Sequence, residues 1–351
     1  MKRACQAQKQ KVIIDIIRQV PFCSLFCRTV SRTNSKPDHP FRVMVSKEIS
    51  DQVKSWRFVI LLCLIALTCL GSMYTSLVQF GKPAGSRNAD DLFFFLKLFT
   101  LSDGTLPSFT VFVSFLGPLL GISLGFDAIN AEQNRGTLSR ILSQPIFRDY
   151  VINTKFTAAL IVISTLFLAL GFLVMGTGLI AIGIPPTPGE FLRILSFILI
   201  SIVYVAFWLN LSIFFSVKFR QAATSALAGI AVWLFFSIFY NMIVNMVAKG
   251  LAPKGMLSEQ QVLLFQQFVL KLMRFNPSHL FSEATTTLLM PSVRSLGPLS
   301  MEQMQGALPN PLPLGQSLLM VWPQVTGLLA GSILLFALGY YSFMRREVRS
   351  R

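Results

Sequence analysis

Charged residues are scarce in this sequence: Lys, Arg, Asp and Glu supply 13% of its 351 positions, where soluble domains carry about a quarter. A large folded core does not account for the shortage, because a larger core still needs a wetted surface. A surface that faces lipid does. The shortage is also concentrated. Six stretches carry no charge at all, between Arg57 and Lys82 (24 residues), Asp103 and Asp127 (23), Lys155 and Glu190 (34), Arg193 and Lys218 (24), Arg220 and Lys249 (28), and Glu302 and Arg345 (42). A helix needs about 20 apolar residues to cross the hydrocarbon, so each stretch holds one span, the last preceded by the Pro- and Gly-rich loop QMQGALPNPLPLGQ. The expected fold class is an all-α integral membrane protein with six transmembrane helices near residues 58–80, 105–126, 157–181, 194–216, 222–247 and 319–343.

Catalytic and metal-binding equipment is missing as well. There are two histidines, His39 and His279, both outside the expected spans, and no HExxH, no paired Cys-x-x-Cys and no G-x-x-x-x-G-K-[ST] motif. Without the last, the chain has no P-loop with which to cradle ATP. GISLG at 121–125 matches the G-x-S-x-G nucleophile elbow around Ser123, but no strand precedes it and no base accompanies it, as that chemistry requires. The five cysteines make no disulfide framework: Cys63 and Cys69 fall in the first span, Cys5, Cys23 and Cys27 in a basic amino-terminal segment. Cys23 and Cys27 lack the second ligand pair of a zinc site. Asp15 and Arg18 interrupt what would have to be the apolar core of a secretory signal. No catalytic residue, metal or cofactor is expected on this chain. The spans also lack the mid-membrane carboxylates and histidines common in ion-coupled carriers, which places the energy source elsewhere.

What charge there is falls unevenly. With a cytoplasmic amino terminus, 22 of the 31 Lys and Arg lie on the inner side and 9 on the outer, while Asp and Glu divide 8 to 7. Without the first 40 residues the basic count is still 14 to 9. This is the positive-inside pattern, which counts basic residues and largely ignores acids. The net charge of +16 is therefore an orientation signal rather than a nucleic-acid footprint, and both termini are expected in the cytoplasm.

Residues 1–40 read as a basic, disordered arm ending in SRTNSKPDHP, with Met44 as an alternative start. From Phe41, apolar residues recur at helical spacing: Phe41, Val45, Ile49, Val53 and Trp56 on one face, charged residues on the other. That predicts an amphipathic helix running straight into the first span, with Trp56 among headgroups and Arg57 near phosphate. Gly117, Gly121 and Gly125 in the second span, and Gly327 and Gly331 in the last, make GxxxG steps that let helix backbones approach closely in lipid. The outer loop 249–316 contains VLLFQQFVLKLMRF, preceded by a Ser258/Gln261 capping box and ended by Asn276-Pro277. It predicts a helix lying on the membrane surface or covering the spans. LFFFLKLFTL in the first outer loop is equally apolar and reads as closure of the outer end.

Between the second and third spans, loop 127–155 lies on the inner side. FDAINAEQNRGTLSRILSQPIFRDYVINTK, from Phe126 to Lys155, keeps Leu138, Ile141 and Leu142 at helical spacing, offers Glu132, Arg135 and Arg140 as charge partners, and breaks at Pro145. A short helix showing apolar and charged residues to the cytosol suits docking of another protein; an ordinary connection is the alternative.

The segment resembles the cytoplasmic loop of ABC-2-type transporter permeases. There an acidic residue precedes Gly-Thr-Leu, then Leu-Ser-x-Pro-Ile, an Arg and a Lys; here these are Glu132, Gly136-Thr137-Leu138, Leu142-Ser143-Gln144-Pro145-Ile146, Arg148 and Lys155. The layout from Phe41 onward is similar too; residues 1–40 are not covered, and the last outer loop is longer than that family requires. The resemblance implies a permease subunit of an exporter in a prokaryotic plasma membrane, paired with a second permease copy or paralogue. Separate ATPase subunits, which hold the ATP and Mg, would dock beneath through Glu132, Arg135, Gly136, Thr137, Leu138, Arg140, Leu142, Pro145 and Arg148. On this reading Glu132, Arg135 and Arg140 supply charge pairing, and Leu138 with Leu142 the buried anchors. A secondary carrier or channel working without an ATPase is the competing reading.

Overall fold

In a computed structural model the described residues are 39–81, 93–100, 107–144, 146–183, 185–252, 259–291 and 312–345. The expectations for the amino-terminal arm, its three cysteines, Pro145 and the Ser258 cap lie outside them. Among the described residues every regular element is helical. The chain divides into two units within the first helix of the described residues, one ending at Lys47 and the other running Glu48–Arg351.

Helix α1, Pro40–Val53, opens with proline at a position where the missing N–H costs nothing. Phe41, Val45, Ile49 and Val53 are half-buried, whereas Lys47 and Asp51 are exposed. The helix does not continue into the span. It ends at Val53, and Ser55 caps the start of the first span, its hydroxyl donating to the Gln52 carbonyl and accepting from the Phe58 N–H. A serine that satisfies the free amide at a helix start competes with helix continuation, which the apolar spacing alone does not reveal.

Among the described residues six helices are long and apolar enough to cross a membrane. They are built from α2 (Trp56–Gly81), α4 (Phe109–Gly125), α7 (Arg148–Ile182), α8 (Pro188–Lys218), the run α9 (Ala222–Leu234), a π-helical turn (Phe235–Phe239) and α10 (Tyr240–Leu251), and α13 (Leu314–Arg345). Between them lie α3 (Phe94–Thr100), α5 (Asn130–Asn134), α6 (Thr137–Leu142), α11 (Glu259–Met273) and α12 (Pro277–Leu289). The chain is an all-α integral membrane protein. α7 begins at Arg148, well before the expected start near 157, because the charges that suggested a connecting segment are accommodated within a continuous helix.

The fourth span, α8, is the central element, packed against α4, α7, α12 and α13. Of its apolar stretch 67% is buried, against 17% in the fifth span. Thr187 starts it with a complete capping box to Glu190, followed by proline at its first turn. Tyr204, Trp208 and Leu209 are fully buried. α4 reaches this helix through its glycines. A Cβ on Gly121 would stand 2.7 Å from the Val205 carbonyl oxygen, and one on Gly125 2.9 Å from that of Leu209; on Gly117 it would meet Val205 at 3.0 Å. Backbone touches backbone there, the arrangement that van der Waals packing favours where no hydrophobic effect drives helices together. Gly331 of α13 faces Phe207, while Gly327 faces Leu280 of α12.

One end of the bundle gathers the starts of α2 and α7 with the ends of α4, α8 and α13. At the opposite end α3 is packed, with Phe95, Leu96, Leu98 and Phe99 all buried, and the Phe95 N–H donates to the buried Glu190 carboxylate at 2.9 Å. Arg193, 1% exposed, there donates to the carbonyls of Leu288 and Leu312 and to Ser317.

The described part of the long loop after the fifth span is a pair of helices. α11 packs along α10, and its end is held halfway down the span: Tyr240 Oη donates to the Leu272 carbonyl at 2.6 Å, and Asn276 Nδ2 to the Phe236 carbonyl in the π-helical turn at 2.7 Å. α12 then climbs back between α8 and α13. Its first turn reaches the middle of α8, where Tyr204 Oη meets Ser278 at 3.0 Å and the Tyr204 ring stacks on Phe281 at 4.4 Å. The two helices form a re-entrant hairpin whose turn is buried in part, with Asn276 and Pro277 inside and Phe275 74% exposed. Asn276, expected to end a helix, caps α12, accepting from the Ser278 N–H, with Pro277 at the first helical position.

Candidate functional site

The loop between the second and third spans is built around left-handed Gly136 (φ +68°), which turns the chain from α5 into α6. A side chain at that φ would be strained. Thr137 Oγ1 donates back to the Glu132 carbonyl at 3.1 Å, fastening the turn.

Four ties hold this loop to the spans. At its start, Arg57 of α2 pairs with Asp127 at 2.5 Å and lays its guanidinium over Phe126, 4.9 Å from the ring centre. Arg57 thus has a protein partner in addition to any headgroup, while Trp56 stays exposed. Next, the Ile129 and Asn130 N–H groups donate to Ser216 Oγ at the end of α8. Asn130 is fully buried, and with its amide oriented to satisfy both ends it also donates to the Ser216 and Phe219 carbonyls.

The third tie is electrostatic. Lys155, in α7, has only 7% of its side chain exposed, and its ammonium lies 2.8 Å from Glu132 Oε1 of α5 and 3.2 Å from Glu48 Oε2 of α1. One buried cation therefore joins the helix before the first span, the loop and the third span. The second Glu132 oxygen is buried without a hydrogen bond. The fourth tie closes the loop: Arg148 donates to the Phe343 carbonyl of α13 at 2.9 Å and sits over its ring.

This geometry redistributes the expected site residues. Glu132 is used inside the chain, and Leu138, at 3% exposure, is buried by the chain itself. Arg135, Gly136 and Arg140 are exposed, Thr137 is half-buried, and Leu142 ends α6. The most prominent apolar side chain beside them is Phe147, 71% exposed, with Tyr150 edge-on at 5.5 Å. Spacing gave no sign of Phe147, because it stands alone between Pro145 and a charged helix start. Glu48 was hidden for a different reason: it lies beside Phe41 and Val45 at the edge of the apolar face of α1, and its partner Lys155 is far away in the chain.

Ser123 lies within α4, with none of the strand–turn–helix geometry that exposes a nucleophile. Among the described residues no group of three or more His, Cys, Asp or Glu could hold a metal ion.

Comparison with known proteins shows the family. Residues 42–348 match the family described as ABC-2 family transporter protein. The chain is 25% identical over 204 residues to a probable ABC transporter permease protein NosY from Pseudomonas aeruginosa, a match covering 56% of this chain and 66% of that protein. The similarly named protein of Stutzerimonas stutzeri is 24% identical over 203 residues, with the same coverage. The match thus spans slightly under two thirds of those relatives. With six helices fit to cross a bilayer and a family match over nearly its whole length, the chain belongs to the ABC-2 family of transporter proteins and is a multi-pass membrane protein.

Proposed function

We propose that this chain is the membrane-spanning permease subunit of an ATP-driven exporter, and that the Asn134–Phe147 side of its second inter-span loop docks a separate ATPase subunit. The observation that carries the reading is the three-way contact of Lys155 with Glu132 and Glu48. A loop that served only as a connection needs no buried ion pairs to both neighbouring helices, whereas a lever must be stiff where it joins what it moves. Movement of α5 and α6 passes through Lys155 to the third span and α1, and through Ser216 to the fourth.

The docking face is positive and carries one apolar projection: Arg135, Arg140 and Phe147. It fits an acidic rim around an apolar groove on the ATPase, where an aromatic anchor in a pocket supplies most of the affinity. ATP and Mg belong to that partner. A second permease copy or paralogue completes the transporter in a prokaryotic plasma membrane, and the excess of Lys and Arg supports a cytoplasmic side for the loop and both termini. The test is purification from native membranes. ATP hydrolysis that accompanies the intact chain, and is lost when Arg135 and Arg140 are both replaced by Glu, supports the reading. Transport by the purified chain alone in liposomes overturns it in favour of a carrier or channel.

A further inference from the structure

The second and fifth spans each lose a backbone hydrogen bond within their length, and both losses are repaired beside the tip of the hairpin. In α4, Pro118 has no N–H to offer the carbonyl four residues back, that of Ser114. Tyr204 Oη of α8 donates to that carbonyl at 2.9 Å. Its one proton is used there, so at the 3.0 Å contact with Ser278 of α12 the serine hydroxyl is the donor. In the fifth span the loss comes from the π-helical turn. The Tyr240 N–H donates to the Phe235 carbonyl, five residues back, and leaves the Phe236 carbonyl without the donor that an α-helix would give it. Asn276 Nδ2 takes that place at 2.7 Å. The other end of the same amide accepts from the Ser278 N–H and caps α12. Asn276 is 1% exposed, so one buried side chain serves both the start of α12 and the defect in the span.

A π turn holds one residue more than the α-helical turn it replaces. Returning it to α gives Phe236 the Tyr240 N–H again and rotates α10 by about 100° against α9, the angle of one residue. Each residue of α10 then points where its successor points now. Ile243, 40% exposed, enters the place of Val244, 5% exposed and the one buried residue among those described in α10, while Val244 turns outward. One apolar side chain replaces another, so the packing of α10 accepts both registers. Asn241, which accepts from Asn276 at 3.3 Å, and Tyr240, which donates to the Leu272 carbonyl, leave the hairpin in the same step.

We propose that Asn276 is a latch on the fifth span. With its amide on the Phe236 carbonyl the turn stays π-helical; when the hairpin tip withdraws, the turn closes to α and α10 rotates by about 100°. The span is bistable because the bond lost to Asn276 is replaced by the one regained from Tyr240. Through Ser278 and Tyr204 the tip is referenced to the fourth span and to the Pro118 break of α4, so a displacement between the fourth span and the hairpin works the latch. The device does not depend on which partner drives that displacement.

The experiment uses the full chain in lipid nanodiscs, its five cysteines replaced by alanine, with a spin label at position 243 or 244. Collision with oxygen, which dissolves in hydrocarbon, reports whether each label is open or packed. Without further substitution, 243 should be the more accessible, following exposures of 40% against 5%, about eightfold. Asn276→Ser keeps a hydroxyl to cap α12 but has no amide to reach Phe236, and the expected result is an inverted order, 244 above 243. Deleting Ile238 removes the extra residue, leaves α10 facing as it does now and gives Phe236 its own donor. In that background Asn276→Ser should change neither label. An unchanged order in Asn276→Ser overturns the proposal, as do two labels made equally accessible and an inversion that persists in the deleted chain. Should Asn276→Ser fold poorly, deleting Ile238 should restore its thermal midpoint; failure to restore it overturns the proposal as well.

Discussion

Lys155 Nζ and Glu132 Oε1 stand 2.8 Å apart, one within the helix of the third span and the other in the loop before it. Because Glu48 approaches the same ammonium from α1 at 3.2 Å, the lysine joins three elements whose relative motion would be the coupling stroke.

Replacing Lys155 by Met keeps the length of the side chain and removes its charge. It leaves the largely buried Glu132 carboxylate without its ammonium partner, and breaking a buried pair in that way costs about 3–5 kcal/mol. The expected outcome is a lower thermal midpoint for the purified protein in detergent or nanodiscs. Combining Lys155→Met with Glu132→Gln should recover part of the loss, since the stranded charge is gone.

Gly121 and Gly176 make a matched pair. A methyl group on Gly121 collides with the Val205 carbonyl oxygen and the Leu209 nitrogen, backbone atoms that cannot yield, whereas one on Gly176 meets nothing within 4 Å. Gly121→Ala should destabilise the protein by roughly 1–3 kcal/mol. Gly176→Ala should be neutral or stabilising by up to about 1 kcal/mol, because alanine is the better helix former. Parallel unfolding curves compare the two directly.

Arg193 satisfies the Leu288 and Leu312 carbonyls and Ser317 from a position with 1% exposure. Arg193→Met removes donors from buried acceptors, each of which costs about 1–3 kcal/mol when stranded. Hydrogen exchange should quicken at the end of α12 and the start of α13, leaving the α5–α6 loop unchanged.

Phe147→Ala tests the docking face apart from the lever. Phe147 is 71% exposed, so the substitution should leave stability within about 0.5 kcal/mol while weakening ATPase binding by about 2 kcal/mol or more, roughly thirtyfold, if it is an anchor. Titration of the partner onto immobilised permease measures the difference.

The spans and the polar loop were legible because they are written locally: uncharged runs mark lipid, and glycines four apart mark close helix contact. Three features were not. α12 has a buried face, Phe281, Ala284, Thr285 and Leu288, at helical spacing, but its threonines, serines and His279 give the segment the look of a polar loop, and only Asn276-Pro277 announces a helix start. The break before the first span depends on one serine, Ser55, choosing to cap. The partners of Lys155 come from elements far apart in the chain, so no window of sequence contains the ion pairs. The same holds for Leu138. Its spacing shows that it belongs to an apolar face, and only the packed chain shows that this face turns inward.

Site-specific photocrosslinking in cells tests the central claim most directly. A photoreactive residue in place of Arg140 should yield an adduct with a chain bearing a Walker-type ATPase motif, while the same residue in place of Phe268 on α11 should not. An ATPase adduct from position 268 with none from position 140 would contradict both the orientation of the loop and its role as the docking face.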